Sequence, residues 1–263
     1  MTTYSSTQSQ KKTTLVLVML WIRIAFHILR GVCTLCFLFP ISSPQKKMRK
    51  TQRWARRLLS ILQVKLEVRG TQLLNVETFL VASNHISWLD IHALNAFTVL
   101  RFVAKSEVES WPIFGWMAKQ LGTIFIRRNS GRHTKTVVEK MAQAFSMGPI
   151  CIFPEGTSSL GDHVLPFKPN LFEAAVVAQV PVFPLAIQYI DAQTSLRSSS
   201  PAFVGEMTLL KSISNILNSQ DLLVSIEVLP PYPFQLGRLV DRKQLAIFCQ
   251  ESVAIAIAQH DVI

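Results

Sequence analysis

Short apolar runs alternate with segments of helical apolar spacing over most of the chain, starting at residue 64. The apolar runs predict strands at Val64–Arg69, Phe79–Ala82, Leu100–Ala104, Thr123–Arg127, Ile150–Phe153, Val182–Tyr189 and Leu222–Leu229. The segments between them predict helices at Trp88–Phe97, Ile113–Leu121, Lys135–Ser146, Asn170–Ala178 and Asp241–Ala258. Continuous apolar strands that alternate with helices are typical of a covered parallel sheet. The pattern therefore predicts an α/β fold with a largely parallel-stranded sheet covered by helices.

The chain before residue 64 follows another pattern. Residues 13–41 are apolar except for a few polar positions, among which Arg23, His27 and Arg30 are spaced to share one helix face. A helix with a narrow basic stripe and a wide apolar face can lie in a membrane interface, or enter it as a hairpin broken near Phe39-Pro40. A full span would carry two arginines, each costing roughly 2.5–3.5 kcal/mol near the bilayer centre. We therefore favour an interfacial or re-entrant anchor over a span.

The excess positive charge is confined to this N-terminal segment. The net charge is +11, yet the first 70 residues hold 13 Lys and Arg against one acidic residue, and the remainder holds 14 against 15. Seven of the basic residues lie within residues 46–57, beside the apolar stretch, and such a flank suits an anionic leaflet. A slightly acidic remainder argues against nucleic-acid binding. We expect a membrane anchor over residues 1–62 and one folded domain over residues 63–263.

The cysteines do not predict a metal or redox site. Cys33 and Cys36 form a C-x-x-C pair, but inside an apolar helix and without a second pair, while Cys151 and Cys249 stand alone. We expect four reduced thiols buried in apolar surroundings and no bound metal.

The most informative segment is Asn84–Asp90, which follows the predicted strand at Phe79–Ala82. If the chain is helical from Ser87, Asp90 lies in the first turn, where its carboxylate can accept the Nδ1–H of His85. Nε2 is then free to take a proton from an alcohol. No Gly-x-Ser-x-Gly segment accompanies the pair, so the nucleophile would be a hydroxyl of the substrate. A chance pairing of histidine and aspartate is the alternative.

Two further segments end predicted strands. Gly122 leads into a strand that ends in Arg127 and Arg128, of which only one can easily reach a shared site. Arginine at a strand end suits bidentate phosphate binding, although a surface arginine is the alternative.

The second of these segments, residues 152–159, is a strand that enters a tight turn. Glu155 could accept hydrogen bonds from substrate hydroxyls or hold the arginine of the site, and the amides of Gly156 and Thr157 could meet an oxyanion. An ordinary turn with a solvated glutamate is the alternative.

Further along, Asn170 suits a helix N-cap or a left-handed position. Pro181 and Pro184 suit the start or edge of a strand.

Taken in this order, the segments resemble the 1-acylglycerol-3-phosphate acyltransferases, the PlsC-like glycerolipid acyltransferase family, over about residues 64–230. The resemblance implies transfer of a fatty acyl group from acyl-CoA or acyl carrier protein to the sn-2 hydroxyl of a lysophospholipid, without metal or organic cofactor. It also implies an enzyme of phospholipid biosynthesis on the cytoplasmic face of the inner membrane, with membrane lipid as its partner. By this resemblance, His85 would act as the general base, Asp90 would orient it, and Arg128 would bind the phosphate of the acceptor. Gly122 would let the chain turn into the strand that leads to Arg128. The remaining matched residues would form the acceptor site (Asn84, Glu155, Gly156, Thr157) and a wall near it (Pro181, Pro184).

The chain departs from the family pattern at two positions. Ser158 stands where arginine usually follows the threonine, and Asn170 stands where glycine is usual. The first departure keeps another lysolipid acceptor open, such as lyso-ornithine lipid. Two rivals of other classes are a His-Asp hydrolase that uses water and a non-catalytic membrane-surface module.

Overall fold

Seven strands form the single sheet of this chain in the computed structural model, which describes residues 12–126, 131–233 and 240–260. The strands are β1 (Lys65–Arg69), β2 (Leu80–Ser83), β3 (Arg101–Lys105), β4 (Ile124–Ile126), β5 (Ile150–Ile152), β6 (Val182–Asp191) and β7 (Leu222–Val228). Their order is β1-β7-β6-β2-β5-β3-β4, and all neighbours are parallel except β6 and β7. The predicted largely parallel sheet is confirmed.

Helices cover both faces of the sheet. They are α1 (Thr14–Cys33), α2 (Pro44–Leu62), α3 (Leu89–Phe97), α4 (Ser106–Glu109), α5 (Phe114–Gln120), α6 (Gly131–Ala144), α7 (Glu173–Ala178), α8 (Leu209–Asn218) and α9 (Arg242–His260). One apolar cluster joins one face of the sheet to α1, α2, α3 and α8, and a second joins the other face to α6, α7 and α9. This arrangement is the three-layer solution expected for a sheet that is apolar on both faces.

Strand β2 lies at the centre and positions the site. Its four residues are all buried; Leu80 and Ala82 pack in one apolar cluster and Val81 packs in the other, as alternation along a strand requires. It pairs in parallel with β5 through Leu80↔Ile150 and with β6 through Leu80↔Val182. The carboxyl ends of β2, β3, β4 and β5 therefore share one edge, where α/β folds bind ligands.

The helix predictions missed α4 and α8 and gave Asn170 the wrong position. Helix α8 was missed, although Thr208 caps it by accepting a hydrogen bond from the amide of Lys211, because its serines and asparagines weaken the helical signal. Asn170 is neither an N-cap nor left-handed. It lies inside the 3₁₀ turn Pro169–Phe172, whose N-cap is Lys168, because Pro169 already begins the turn.

The N-terminal segment forms two helices that pack on the folded domain. Thr14–Leu38 joins α1 to a short π-helical turn, spans 25 residues with a mean hydropathy of 1.9 in its most apolar part, and is long and apolar enough to cross a membrane. Helix α2 then packs against α3, where Gln52 and Arg56 donate to the last carbonyls of that helix, on Phe97 and Ala96. The boundary at residue 62 stays a prediction.

Candidate active site

The side chains of His85 and Asp90 meet at the carboxyl end of β2. His85 follows the strand by two residues and Asp90 lies in the first turn of α3. The imidazole Nδ1 is 2.8 Å from Oδ2 of Asp90. An ionised carboxylate only accepts hydrogen bonds, so Nδ1 carries the proton and Nε2 keeps its lone pair. The structure thus places the two side chains as their spacing predicts.

Asp90 is completely buried and is held by four donors. Besides His85, the backbone amides of Ile86 and Ser87 donate to Oδ2 at 2.8 and 2.9 Å, and the hydroxyl of Tyr189 donates to Oδ1 at 2.8 Å. Burial and the neighbouring carboxylate of Asp90 raise the pKa of Tyr189 well above its usual value, so the phenol stays protonated. These four donors hold the carboxylate of Asp90 rigidly beside the imidazole.

The imidazole of His85 is fixed on a second side. It stacks on the ring of Phe153, with centroids 4.0 Å apart and planes 16° apart. The carbonyl of His85 accepts the amide of Ser159 at 2.9 Å, which ties the histidine loop to the segment after β5. Its side chain remains 21% exposed. The arrangement therefore presents an oriented basic nitrogen at a partly open surface, the geometry of a general base.

Asn84, predicted to be part of the acceptor site, is bonded inside the protein. It is buried, and its carboxamide forms two hydrogen bonds with the backbone of Ile187, one from Nδ2 at 2.9 Å and one to Oδ1 at 2.8 Å. It therefore links the end of β2 to β6 and positions His85 indirectly.

Glu155 is also inside the protein. It is 2% exposed, and its Oε1 accepts the amide of His85 at 3.4 Å, while Oε2 is buried without a hydrogen bond of ordinary geometry among the described residues. Burial raises the pKa of Glu155 to about 8; the amides of His85 and Leu165 oppose this rise and the charge of Asp90 adds to it. Burial rules out the alternative of a solvated glutamate, and it places the carboxylate beneath the histidine loop. The predicted contacts of Glu155 with substrate hydroxyls or with an arginine of the site stay predictions.

The turn after Glu155 is only partly available to a ligand. Gly156 has a φ of +74°, which suits glycine, and its amide donates to Phe153 at 3.0 Å. That amide is thus occupied, which corrects the expectation that it meets an oxyanion. Thr157 is exposed, and the hydroxyl of Ser158 donates to the carbonyl of Phe203.

The remaining predicted residues lie away from His85 or outside the described residues. Gly122 turns the chain into β4 with a φ of +81°, close to the side chain of Arg101. Pro181 does not join the site, because its carbonyl pairs with Leu80, about 10 Å along β2 from the end that carries His85. Pro184 is buried inside the sheet beside Ala82 rather than in a wall. The predicted phosphate ligand Arg128, with Arg127, lies outside the described residues.

Three residues around the pair were missed from the sequence. Phe153 stood in a recognised segment without a role, and Ser159 and Tyr189 were given none. A tyrosine at the end of an apolar strand signals a buried hydroxyl that needs a partner, but nothing in its neighbourhood along the chain identifies Asp90 as that partner.

No group of three metal-ligating side chains occurs among the described residues. Cys33 and Cys36 are exposed, which corrects the expectation of buried thiols there, because they lie on the outer face of α1 and its π-helical turn. Cys151 and Cys249 are buried, and burial raises the pKa of both thiols, so neither is a ready nucleophile or metal ligand.

Comparison with known proteins identifies the family and the fold. The acyltransferase family model matches residues 65–188. The chain is 34% identical to a lyso-ornithine lipid O-acyltransferase of Pseudomonas aeruginosa, over 80% of this chain and 79% of the relative. It is 33% identical to a 1-acyl-sn-glycerol-3-phosphate acyltransferase of Neisseria meningitidis, over 70% and 72%. The crystal structure of PlsC, the 1-acyl-sn-glycerophosphate acyltransferase from Thermotoga maritima, shares the fold with a TM-score of 0.66 at 20% identity, over 95% of this chain and 96% of that one.

Proposed function

The chain belongs to the acyltransferase family, and from that premise we propose that it acylates the sn-2 hydroxyl of 1-acyl-glycerol-3-phosphate to make phosphatidic acid. The acyl donor in this proposal is a thioester, acyl-CoA or acyl carrier protein. The observation that carries the proposal is the contact of 2.8 Å between His85 and the fully buried Asp90.

The chemistry needs no covalent enzyme intermediate. Nε2 of His85 takes the proton of the acceptor hydroxyl as that oxygen attacks the thioester carbonyl carbon. The imidazolium that forms is stabilised by Asp90, whose charge is held in place by backbone and tyrosine donors. The carbon–sulfur bond then breaks, and the leaving thiolate takes the proton back from Nε2. An ester and a free thiol are the products, and no metal or organic cofactor takes part.

The acceptor headgroup is the open part of the proposal. In the lysophosphatidate reaction, Arg128 binds the phosphate, and Thr157 is part of the acceptor site. One observation favours lyso-ornithine lipid as a second candidate. Ser158 stands where the family pattern has arginine, so this position has no cation for a phosphate, and its hydroxyl donates to the carbonyl of Phe203. The Pseudomonas aeruginosa relative, named for that acceptor, is as similar to this chain as the Neisseria one.

We further propose that the enzyme acts on the cytoplasmic face of the inner membrane. Helix α1 exposes large apolar side chains, including Leu15, Ile22, Phe26 and Leu29, and α2 carries the basic run of residues 46–57. An apolar face beside cations suits an anionic leaflet, with α1 lying in the interface rather than spanning the bilayer. This placement brings the acceptor, itself a membrane lipid, to the enzyme.

A parallel acceptor assay tests the proposal. The full chain in phospholipid vesicles receives labelled acyl-CoA, or labelled acyl carrier protein, with lysophosphatidate, with lyso-ornithine lipid, or with neither. We expect labelled phosphatidate in the first arm. Product with lyso-ornithine lipid alone would keep the mechanism and identify that lipid as the acceptor. Release of free fatty acid without any acceptor would indicate a hydrolase. Absence of turnover in all arms, with folded protein, would leave a non-catalytic membrane module.

A further inference from the structure

A cavity lies between α1 and α2, apart from the residues around His85. Its volume is about 200 Å³. The lining residues are Ile22, Arg23, Phe26, His27, Arg30, Arg57 and Ile61. A single water needs about 10–15 Å³ by the same kind of measure, so the cavity is large enough for a phosphate group. It is smaller than the 300–1,000 Å³ typical of pockets that enclose whole ligands, so only part of a larger molecule would enter.

The polar lining of this cavity is entirely cationic or neutral. Three arginines, Arg23, Arg30 and Arg57, are among its seven lining residues, and no residue with a carboxylate side chain is. In the described part of the chain these three arginines form no ion pair. Like charges collected without a counter-charge repel one another, and a bound anion would remove that repulsion. Guanidinium groups bind phosphate oxygens in a bidentate manner, which makes phosphate the anion of best fit.

His27 forms a rigid part of the cavity wall. It is 3% exposed and stacks on Trp54 of α2, with centroids 4.5 Å apart. Its Nε2 lies 3.1 Å from the carbonyl oxygen of Trp54, and the indole of Trp54 donates to the carbonyl of His27 at 3.2 Å. The other ring nitrogen, Nδ1, is buried without a hydrogen-bond partner among the described residues. These contacts fix α1 and α2 side by side. The backbone positions of the arginines on the two helices are therefore set before any ligand binds.

The rim of the cavity is apolar and faces outward. Ile22 is 62% and Phe26 is 66% exposed, and both continue the exposed apolar surface of α1. A free phosphate would leave these side chains in water, whereas a phospholipid would place its phosphate on the arginines and its acyl chains along the apolar rim. The combination favours an anionic lipid over a soluble anion.

We propose that the cavity between α1 and α2 is a binding site for the headgroup phosphate of one anionic phospholipid, held by Arg23, Arg30 and Arg57. Its lining shares no residue with the surroundings of His85 described above, and the inference does not depend on the proposed function. A lipid bound here fixes how α1 and α2 sit in the leaflet, in addition to the diffuse attraction of the basic run on α2.

Calorimetric titration with short-chain phosphatidylglycerol tests the site. That lipid is neither substrate nor product of the proposed reaction, so it does not report on the active site. The full chain in neutral detergent should bind one lipid saturably. Arg30→Gln with Arg57→Gln should weaken binding at least ten-fold, because two charge-assisted contacts are lost. Arg49→Gln with Arg53→Gln is the matched control, since this pair removes two exposed positive charges from α2 outside the cavity, and it should change the affinity less than two-fold.

Two further measurements keep the result interpretable. Arg57→Lys keeps the charge but loses the forked donor, so it should fall between wild type and Arg57→Gln, and thermal unfolding without lipid checks that each variant is folded. Equal losses in the Arg49/Arg53 and Arg30/Arg57 double variants would overturn the site in favour of diffuse attraction. Inorganic phosphate or free CoA displacing the lipid with similar affinity would overturn the assignment to a lipid, and unsaturable binding would overturn both.

Discussion

Asp90→Asn separates the charge of the buried carboxylate from its hydrogen bonds. The amides of Ile86 and Ser87 both point at Oδ2, so the carboxamide oxygen must take that position to accept them. The same oxygen then accepts the Nδ1–H of His85, and the carboxamide NH₂ faces the hydroxyl of Tyr189, which can accept. The tautomer and orientation of the imidazole are thus retained, and only the negative charge is lost.

The size of that loss follows from Coulomb's law. With a nitrogen–oxygen contact of 2.8 Å, the charge centres of imidazolium and carboxylate lie about 4 Å apart, worth about 4 kcal/mol at an effective dielectric constant of 20. Because the imidazolium forms only in the transition state, this energy affects the barrier and corresponds to about a thousand-fold in kcat.

Initial rates of acyl transfer at saturating acceptor measure this effect, with the KM of the donor recorded alongside. We expect kcat to fall about a thousand-fold and KM to change little. Asp162→Asn is the matched control: Asp162 contacts His163 at 2.9 Å in the same way, but on the surface, and its loss should leave kcat within about two-fold. A loss below about ten-fold in the Asp90 variant would refute the reasoning that its charge stabilises a catalytic imidazolium.

Three further substitutions test the surroundings of the pair. Tyr189→Phe leaves one oxygen of the buried Asp90 without its donor and should lower the free energy of unfolding by about 1–3 kcal/mol; an unchanged urea midpoint would contradict this. Glu155 has a pKa of about 8 in the fold against an ordinary 4.5, so the native state binds more protons between these values and stability falls as pH rises through them. The Gln side chain of Glu155→Gln cannot titrate, so from pH 5 to pH 8 the free energy of unfolding of this variant should rise by more than about 1 kcal/mol relative to that of wild type, as measured by urea unfolding. If the free energies of unfolding of the two proteins instead changed in parallel with pH, the carboxyl would not be protonated on folding. Phe153→Leu removes the ring that stacks on His85 and should lower kcat roughly ten- to hundred-fold at unchanged KM, a result that a merely apolar requirement at this position would not give.

Contacts between residues that are near each other in the sequence could be predicted from the sequence. His85 and Asp90 are five residues apart across a strand end and a first helical turn, so local geometry alone brings them together. The strands were likewise found within a residue or two, because buried parallel strands are continuous apolar runs.

Contacts between segments that are distant in the sequence could not be predicted from local geometry. Tyr189 reaches Asp90, and Ile187 pairs with Asn84, only because β6 lies beside β2 in the sheet, and nothing in either segment states that order. Asn84 was expected to contact substrate, whereas in the structure its carboxamide forms two hydrogen bonds with the neighbouring strand.

The N-terminal helices show the same limit. Helical spacing put Arg23, His27 and Arg30 on one face, and the structure shows that this face is turned toward α2 and joined there by Arg57. The sequence alone suggested a stripe that faces lipid headgroups, and packing of the two helices converts the stripe into a cavity. Pairing between helices, like strand order, depends on the whole fold.

Acyl transfer by the His85→Ala variant tests the central claim most directly. The full chain in vesicles, given labelled acyl thioester with both lysolipids together, should lose at least about a hundred-fold of its product formation when the base is removed. His163→Ala, which removes an exposed histidine that also contacts an aspartate, should keep its rate within about two-fold. Equal activity of wild type and the folded His85→Ala variant would contradict the account, because the proposed mechanism has Nε2 of His85 take the proton of the acceptor hydroxyl.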